Sequence, residues 1–498
     1  MMSRHASIHQ CLFADLLGSM GQVVGGNPEI KGLAIDSRAV RPGYLFLACK
    51  GLSSHGLEFA AEAIDRGAVA IAWEPADFDV AGLPVPMARV ADLSARAGEI
   101  AARFYGYPSE QMMVVGITGT NGKTSVAHYL AQCLDQPGER AGLIGTLGVG
   151  LYGEAIRSNH TTPDVVTNQR LLAEFLQSGA TSAMMEVSSH ALVQGRVNAI
   201  RFATTVFTNL SHDHLDYHGD MESYAEAKRK LFFTPGLESA VINVDDAVGQ
   251  RLLDDLPAAT RKIACSLRAP RPGVMSVWAE SIRTLPEGMA FSLHTPWGDE
   301  SVQSQLVGEF NVANLLSVAA VLLLSGMPFE RVVALLQRVK PVAGRMETFG
   351  GNEQPLVVVD YAHTPDALAH SLQALRSHIE GKLICVFGCG GDRDVGKRPE
   401  MGRIVEQFAD IALITNDNPR TESAEKIIGE IQQGLTRPED MPVVFDRRDA
   451  IEEALRLASK GDAVLIAGKG HEDYQIIGHQ RFPFSDREVV VQFLGGAL

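Results

Sequence analysis

Cysteine is sparse in this chain and follows no pattern. The six cysteines (Cys11, Cys49, Cys133, Cys265, Cys385 and Cys389) are scattered through 498 residues, and no two stand in C-x-x-C spacing. That excludes the usual zinc signatures and fits free thiols in a reducing compartment better than a disulfide frame. Positive charge is short as well. A net charge of −15 argues against non-specific nucleic-acid binding, which needs a basic surface. It leaves room for a local basic pocket that binds small anions. No apolar run is long enough to span a bilayer, and the N-terminal MMSRHASIHQCLFADLL has no signal-peptide h-region. The chain shows no solenoid repeat and no low-complexity tract. These absences predict a cytoplasmic, water-soluble protein that binds neither nucleic acid nor membrane. Its length predicts about three domains.

The stretch that organises the rest is MMVVGITGTNGKTS, from Met112 to Ser125. Met112 to Val115 reads as a short buried strand, broken by Gly116, Gly119 and Gly122. Lys123, Thr124 and Ser125 open a helix whose apolar residues Val126, Tyr129, Leu130, Cys133 and Leu134 recur at helical spacing. Strand, Gly-rich turn, Lys-Thr and helix together make a phosphate cradle. Backbone N–H groups face the anion, Lys123 adds a point charge, and the Thr124 hydroxyl is placed for Mg²⁺. The spacing departs from the common G-x-x-x-x-G-K-[ST] form, because Ile117 stands where that form has glycine. An ordinary Gly-rich turn is the plainer alternative.

Three units follow from the pattern of strands and helices. Residues 1–108 read as a small α/β unit. In it LAIDSRAVRPGYLFLACKG places two strands around the Pro42-Gly43 turn, and the helix from Leu93 to Tyr105 ends at Gly106-Tyr107-Pro108. Residues 109–340 carry the phosphate loop and the strand candidates AGLIGT, SAMMEVS, FATTVFTNL and SAVINVD, separated by helices at 168–178 and 223–232. Such alternation predicts a mostly parallel sheet covered on both faces. Residues 341–498 hold four more strand-then-polar-loop segments: LVVVDYAHTPD, KLICVFGCGGDRD, IALITNDNPR and AVLIAGKGHED. Short continuous apolar strands predict a Rossmann-like, doubly wound parallel sheet with a polar crevice. The expected fold class is therefore α/β in three domains.

Open α/β sheets place ligands at the carboxyl ends of their strands, and the polar signals fall there. Glu186 ends one apolar run, and Asn209 leads into SHDHLDYH, which contains His214. A carboxylate and an imidazole beside a phosphate loop suit Mg²⁺ or Mn²⁺. Taken alone, His214 reads as a histidine in a polar turn and Lys228 as a solvated helix lysine. Zinc is discounted because no cysteine accompanies the histidines. A phosphate loop by itself fits a kinase, a GTPase switch, an ATPase or an ATP-dependent ligase. The guanine-recognition signatures are not evident, and the third domain argues against a simple switch.

Taken together, GITGTNGKTS (116–125), MEVSSHAL (185–192), TNLSHDHLDYHGDM (208–221), YAEAKRKLF (224–232), GEFNVANLLSVAA (308–320), GRME (344–347), DYAHTPDAL (360–368), GGDRDVGKRP (390–399), NDNPR (416–420) and AGKGHE (467–472) resemble the Mur ligase family. These are ATP-dependent, amide-forming enzymes of bacterial cell-wall synthesis. The segments span both large domains in family order. The N-terminal 33–51 is similar, more loosely, to a uridine-nucleotide domain, and the residues around Leu52–Ser54 depart from the family's common His-Gln pairing.

The resemblance implies that ATP phosphorylates the free carboxylate of a UDP-N-acetylmuramoyl-L-alanyl-D-glutamate substrate. An amine of meso-diaminopimelate then attacks, and the protein acts as a monomer with Mg²⁺. By position, Gly119, Thr120, Asn121, Gly122, Lys123, Thr124 and Ser125 hold the phosphates. Thr124, Glu186, His214 and a carbamylated Lys228 hold the metal. Asn311, Arg345 and Asp360 approach ATP from the far side. Thr161, Thr162, Ser188, Gln194 and Arg196 face the muramoyl peptide, and Ile35, Ser37 and Ser53 the uridine. Arg420 receives the distal carboxylate of diaminopimelate, with Arg393, Asp417, Asn418, Pro419, Gly468 and Glu472 around it. Another Mur ligase or the related folylpolyglutamate synthetase, a P-loop kinase, and a non-catalytic paralogue remain the alternatives.

Overall fold

The strand before the Gly-rich loop, Met113–Thr118, is apolar on both faces because both faces are buried. Side chains alternate across a strand. Val114 enters one core with Leu172, Met185 and Phe207. Val115 and Ile117 enter the other with Tyr129, Leu130 and Leu316. Gly116 interrupts the run for want of space, since a Cβ there would lie 2.8 Å from the Phe202 ring. The computed structural model describes residues 11–495 except 52–53, 77, 79, 81, 159, 286–287 and 352.

This strand sits inside a 10-stranded sheet. In spatial order the strands are Gly148–Leu151, Arg140–Gly145, Ala180–Glu186, Met113–Thr118, Thr204–Phe207, Ser239–Asn243, Arg261–Ser266, Met275–Leu285, Gly288–Thr295 and Gly298–Ser304. Pairing is parallel from Arg140–Gly145 to Met275–Leu285 and antiparallel at both edges. All four strand candidates of the central region lie in it. The segment from Arg261 to Ser304 adds four strands that hydrophobic periodicity did not reveal. Its longest strand is half solvated and slips register between Glu280 and Arg283, which breaks the alternation. The phosphate-loop helix, Lys123–Leu134, and the apolar helix Glu309–Leu324 share one core over this sheet.

A 5-stranded sheet precedes it, in the order Gly21–Val24, Met87–Val90, Ala68–Trp73, Tyr44–Ala48, Gly32–Ala34. The two strands flanking Pro42-Gly43 are present and pair in parallel, with the short helix Ser37–Ala39 in the connection between them. The helix Leu93–Phe104 packs on Val165–Gln177 of the next unit. Gly98 permits the approach, because a Cβ there would meet the Asn198 carbonyl oxygen at 2.4 Å.

The last 5-stranded sheet runs Glu347–Gly350, Leu356–Asp360, Ala463–Ala467, Leu383–Phe387, Ile411–Ile414. All its pairs are parallel except the first. Helices cover both faces, with Pro365–Arg376, Lys397–Phe408 and Ala424–Gln432 on one and Arg447–Leu457 and Asp486–Leu494 on the other. The doubly wound arrangement puts the loops after Asp360, Phe387, Ile414 and Ala467 on one edge.

Candidate functional site

The loop leaves its strand at Thr118 and enters its helix at Lys123. Gly119 has φ +152° and Gly122 φ +85°, which side chains rarely adopt. Space also demands glycine, as a Cβ at Gly119 would lie 1.9 Å from Thr208 Oγ1 and one at Gly122 2.7 Å from Asn314 Oδ1. The segment after Phe207 clasps the loop. Thr120 N donates to Asn209 O at 2.9 Å, Asn121 N to Asn209 Oδ1 at 2.9 Å, and Ser211 N to Thr120 Oγ1 at 3.0 Å. Lys123 Nζ folds back to donate to Gly119 O at 2.9 Å and Thr120 O at 2.8 Å. Burial lowers its pKa, and Glu186 and Asp213 work against that.

Glu186 is buried at the end of its strand and held by three donors. They are Thr124 Oγ1 at 2.8 Å, Thr146 N at 2.8 Å and Thr146 Oγ1 at 3.1 Å. Gly145 leaves room for the carboxylate, since a Cβ there would sit 2.2 Å from Glu186 Oε1. His214, at φ +55°, opens the short helix Leu215–His218. Its ring lies 4.9 Å from that of His190 and 6.2 Å from that of Tyr224. Burial lowers the His214 pKa. Burial, aided by His214 and His218, pushes that of His190 down to about 4.

Lys228 is buried, not solvated. From the helix Met221–Arg229 its Nζ donates to Gly119 O at 2.8 Å and lies 4.4 Å from the Tyr224 ring. Burial first, and the Lys123 charge second, depress its pKa well below that of an ordinary lysine. Its Nζ lies buried beside the phosphate loop, in surroundings that disfavour the charged form. Thr124 and Glu186, joined at 2.8 Å, offer a hydroxyl and a carboxylate that suit a hard divalent cation beside phosphates, whereas His214 packs against His190 and Tyr224 and no group of three His, Cys, Asp or Glu stands together among the described residues.

The residues expected to face the muramoyl peptide are joined in one wall. Thr162 Oγ1 donates to Glu186 O at 2.8 Å and accepts from Ser188 N at 3.1 Å. Arg196 donates to Thr162 O at 2.9 Å and grips Gln194 Oε1 at 2.7 and 3.0 Å. Gln194 reaches Tyr217 Oη at 3.3 Å. Thr161 Oγ1 is 3.1 Å from Thr146 Oγ1, so the wall is tied to the Glu186 carboxylate.

On the far side the expected residues divide. Arg345 stacks over the Tyr361 ring at 4.5 Å and reaches Thr124 Oγ1 at 3.5 Å. Asn311 is buried behind the loop, accepting from Tyr129 Oη and Asn314 Nδ2 at 3.1 Å each and donating to Val307 O at 2.9 Å. Asp360 accepts from Met346 N at 3.0 Å and Ser371 Oγ at 2.7 Å, which fixes the crossing into the third unit.

The loops of the last sheet converge. Asn418 Nδ2 donates to Glu472 Oε2 at 2.9 Å, and Lys469 Nζ reaches the same oxygen and Asn418 Oδ1 at 3.0 Å each. Gly468 adopts φ +114°, and a Cβ on it would be 2.8 Å from Asp417 Oδ2. Arg420, at φ +52°, donates to Gly391 O at 2.7 Å, and its backbone N–H bonds Ile476 O at 3.1 Å. Pro419 precedes it in the same turn. Arg393 is exposed and its side chain donates to the Asp392 carbonyl at 3.2 Å; among the described residues it has no hydrogen bond to the Glu472 cluster. In the first unit Ser37 Oγ donates to Glu62 Oε2 at 2.6 Å, and Ile35 packs against the core. Ser53 lies outside the described residues.

Sequence reasoning missed the groups that hold these side chains. Thr146 grips Glu186. Arg447 is fully buried against Asp486, at 2.7 Å twice, and donates to the carbonyls of Asn416 and Ala467 at 3.3 and 2.9 Å, bracing two site loops. Buried Arg398 ties Glu422, Glu430 and Gly390 O together beneath Arg420. Arg157, from the central sheet's edge, pairs with Asp473 and lies 5.5 Å from the Tyr474 ring. The AGKGHE and GGDRDVGKRP segments named Lys469 and Arg398, but nothing in spacing marked them as buried.

Three family domains match: "Mur ligase family, catalytic domain" over residues 29–105, "Mur ligase middle domain" over 117–322, and "Mur ligase, glutamate ligase domain" over 344–470. The UDP-N-acetylmuramoyl-L-alanyl-D-glutamate–2,6-diaminopimelate ligase of Alkalilimnicola ehrlichii is 49% identical over 477 residues, covering 94% of this chain and 95% of that protein. The enzyme of the same name from Coxiella burnetii is 46% identical, covering 95% and 98%. A solved structure of a ligase of that name superposes with a TM-score of 0.72 at 34% identity, covering 98% of this chain and 99% of the other. Mycobacterium tuberculosis folylpolyglutamate synthase, complexed with ADP and AMPPCP, shares the fold at 21% identity and a TM-score of 0.60, covering 75% of this chain and 92% of the other.

Proposed function

The chain belongs to the Mur ligase family, and from that premise we propose that it joins meso-2,6-diaminopimelate to UDP-N-acetylmuramoyl-L-alanyl-D-glutamate, using ATP. The supporting observation is that Arg420, Asp417 and Glu472 stand on loops gathered at one edge of the last sheet, while Arg345 reaches across to Thr124 of the phosphate loop. Diaminopimelate has an amino-acid head at each end, so its distal head needs a partner for a carboxylate and one for an ammonium. The planar fork of Arg420 suits the carboxylate. Glu472 and Asp417, with the Gly468 carbonyl, suit the ammonium. Arg393 is assigned to a second carboxylate.

The family's chemistry gives the reaction. The D-glutamyl carboxylate attacks the γ-phosphorus of ATP, ADP leaves, and an acyl phosphate forms. The amine then displaces phosphate. Two anions must first be brought together, so neutralisation and positioning carry most of the acceleration. The loop from Gly119 to Ser125 and Lys123 hold the phosphates. Thr124, Glu186, His214 and Lys228 as its carbamate would hold Mg²⁺, which when bound neutralises phosphate charge. CO₂ adds to an amine in its uncharged form, and the burial that lowers the Lys228 pKa favours that form. Thr161, Thr162, Ser188, Gln194 and Arg196 would orient the muramoyl peptide; Ile35, Ser37 and Ser53 the uridine; Asn311, Arg345 and Asp360 the far side of ATP. Residues 1–108, 109–340 and 341–498 thus serve uridine, ATP and amino acid in turn, in a cytoplasmic monomer.

The test is purified protein with ATP, the UDP-dipeptide and meso-diaminopimelate, followed by phosphate release and product mass. Phosphate release that needs all three, with a UDP-tripeptide formed, is expected. ATP hydrolysis indifferent to the dipeptide would overturn the assignment.

A further inference from the structure

Two buried nitrogens at the seam between the phosphate loop and the amino-acid loops have no hydrogen-bond partner among the described residues: Arg345 Nε and His471 Nδ1. Buried polar groups are nearly always satisfied, so such orphans need a reason. Both flank one ring. Arg345 lies 4.5 Å over Tyr361, and the His471 ring is 5.2 Å from it. The backbone holds His471 in place, because Gly344 packs so closely that a Cβ there would be 2.1 Å from His471 N. Arg345 carries the seam across to Thr124 Oγ1, 3.5 Å away.

Electrostatics narrows what fits. The charges that His471 feels come from both sides of the seam: Arg345, Arg157, Asp473 and His128. Burial, and then the two arginines, push its pKa down to about 3. The ring is therefore neutral near pH 7 and carries one N–H. With Asp473 already paired to Arg157, a neutral ring that carries its N–H on the unpartnered Nδ1, beside Arg345, fits an incoming negative oxygen. His471 directly precedes Glu472, whose carboxylate is engaged by Asn418 and Lys469. The ring packs on Tyr361 beside Arg345, which reaches Thr124 of the phosphate loop, so it lies on the side of the Glu472 loop that meets the phosphate-loop seam.

We propose that His471 is a catalytic residue of the amide-forming step, donating a hydrogen bond from Nδ1 to the oxyanion of the tetrahedral adduct. It rests on the amide-ligase assignment above. In that step the amine lone pair forms the C–N bond at the acyl carbon, and the C=O π pair moves onto oxygen, where Nδ1–H receives it. The pair returns, the C–O bond to phosphorus breaks, and phosphate leaves with that bond's electrons and takes the ammonium proton. His471 supplies a hydrogen bond throughout and is not the base.

The test separates the two half-reactions in His471→Asn, His471→Gln and His471→Phe. Asparagine places a donor near the Nδ1 position, glutamine places one near Nε2, and phenylalanine keeps the ring without a donor. Acyl-phosphate formation is read as scrambling of ¹⁸O from the β–γ bridge of ATP, with the UDP-dipeptide present and no amino acid. Amide formation is read with meso-diaminopimelate added. Loss of one oxyanion donor typically lowers the rate about 10²–10³-fold. Phenylalanine and glutamine should lose that much of kcat for amide formation, with scrambling and the KM for diaminopimelate held. Asparagine should stay within about tenfold of wild type, and the acidic limb of the pH profile should persist in all three. Full amide formation in the phenylalanine variant, equal loss of both half-reactions, no rescue by asparagine, or disappearance of the acidic limb would each overturn the proposal. Wild-type protein that neither scrambles nor forms amide would instead overturn the ligase assignment.

Discussion

Replacing Thr146 by valine removes one of three donors from the Glu186 carboxylate and leaves the other two, Thr146 N and Thr124 Oγ1, in place. Valine is close in shape, so the backbone around Gly145 stays. A hydrogen bond to an ionised acceptor contributes about 1.5–3 kcal/mol. At about 1.4 kcal/mol per factor of ten, that is roughly a 10–100-fold effect, the range expected when a group supporting a metal ligand is lost. Glu186 is assigned to Mg²⁺, so the loss should appear in the metal requirement. The assay is phosphate release against Mg²⁺ concentration at saturating substrates. Half-saturating Mg²⁺ should rise by about 10–100-fold in Thr146→Val and stay near wild type in Thr146→Ser, which keeps the hydroxyl. An unchanged Mg²⁺ requirement in Thr146→Val, with unchanged kcat, would refute the reasoning.

Lys123→Ala removes a charge from the transferring phosphoryl group and should lower substrate-dependent phosphate release by about 10²–10³; near wild-type release would sink the loop assignment. Lys228→Ala should be nearly inactive and partly rescued by short carboxylates, while a metal-bound crystal showing an unmodified amine would argue against carbamylation. His190 and His471 have pKa values pushed down to about 4 and about 3, so below about pH 6.5 the unfolded chain binds more protons than the folded one. Their contribution is complete above that pH and is lost as pH falls, about 2 kcal/mol for His471 and about 1 kcal/mol for the more exposed His190 at pH 5. The thermal midpoint should drop from pH 7.5 to pH 5, and drop less in the His190→Gln/His471→Gln double variant; an identical drop would contradict this.

Elements whose pattern follows from burial were legible in the sequence. Met113–Thr118 and four of the five strands of the last sheet are buried on both faces, so they read as continuous apolar runs. The strands from Arg261 to Ser304 were not legible, because a half-solvated edge with a register slip carries no clean period. Among site residues, Glu186 and His214 showed at strand ends, where an α/β sheet exposes polar groups. Lys228 could not be told from a surface lysine, since its burial depends on Tyr224 and on Gly119 of a loop remote in sequence. Arg447, Arg398 and Thr146 act by holding other groups, through contacts that no local spacing encodes.

The most direct test of the account is the ratio of kcat/KM for meso-diaminopimelate over L-lysine, in wild type and in Arg420→Ala. Lysine lacks the distal carboxylate and would leave Arg420 without that partner, and a site built to bind a missing polar group can reject the analogue by about 10⁴–10⁵. The account predicts a strong wild-type preference for meso-diaminopimelate that Arg420→Ala largely abolishes. A wild-type ratio near unity, or one unmoved by the substitution, would contradict it.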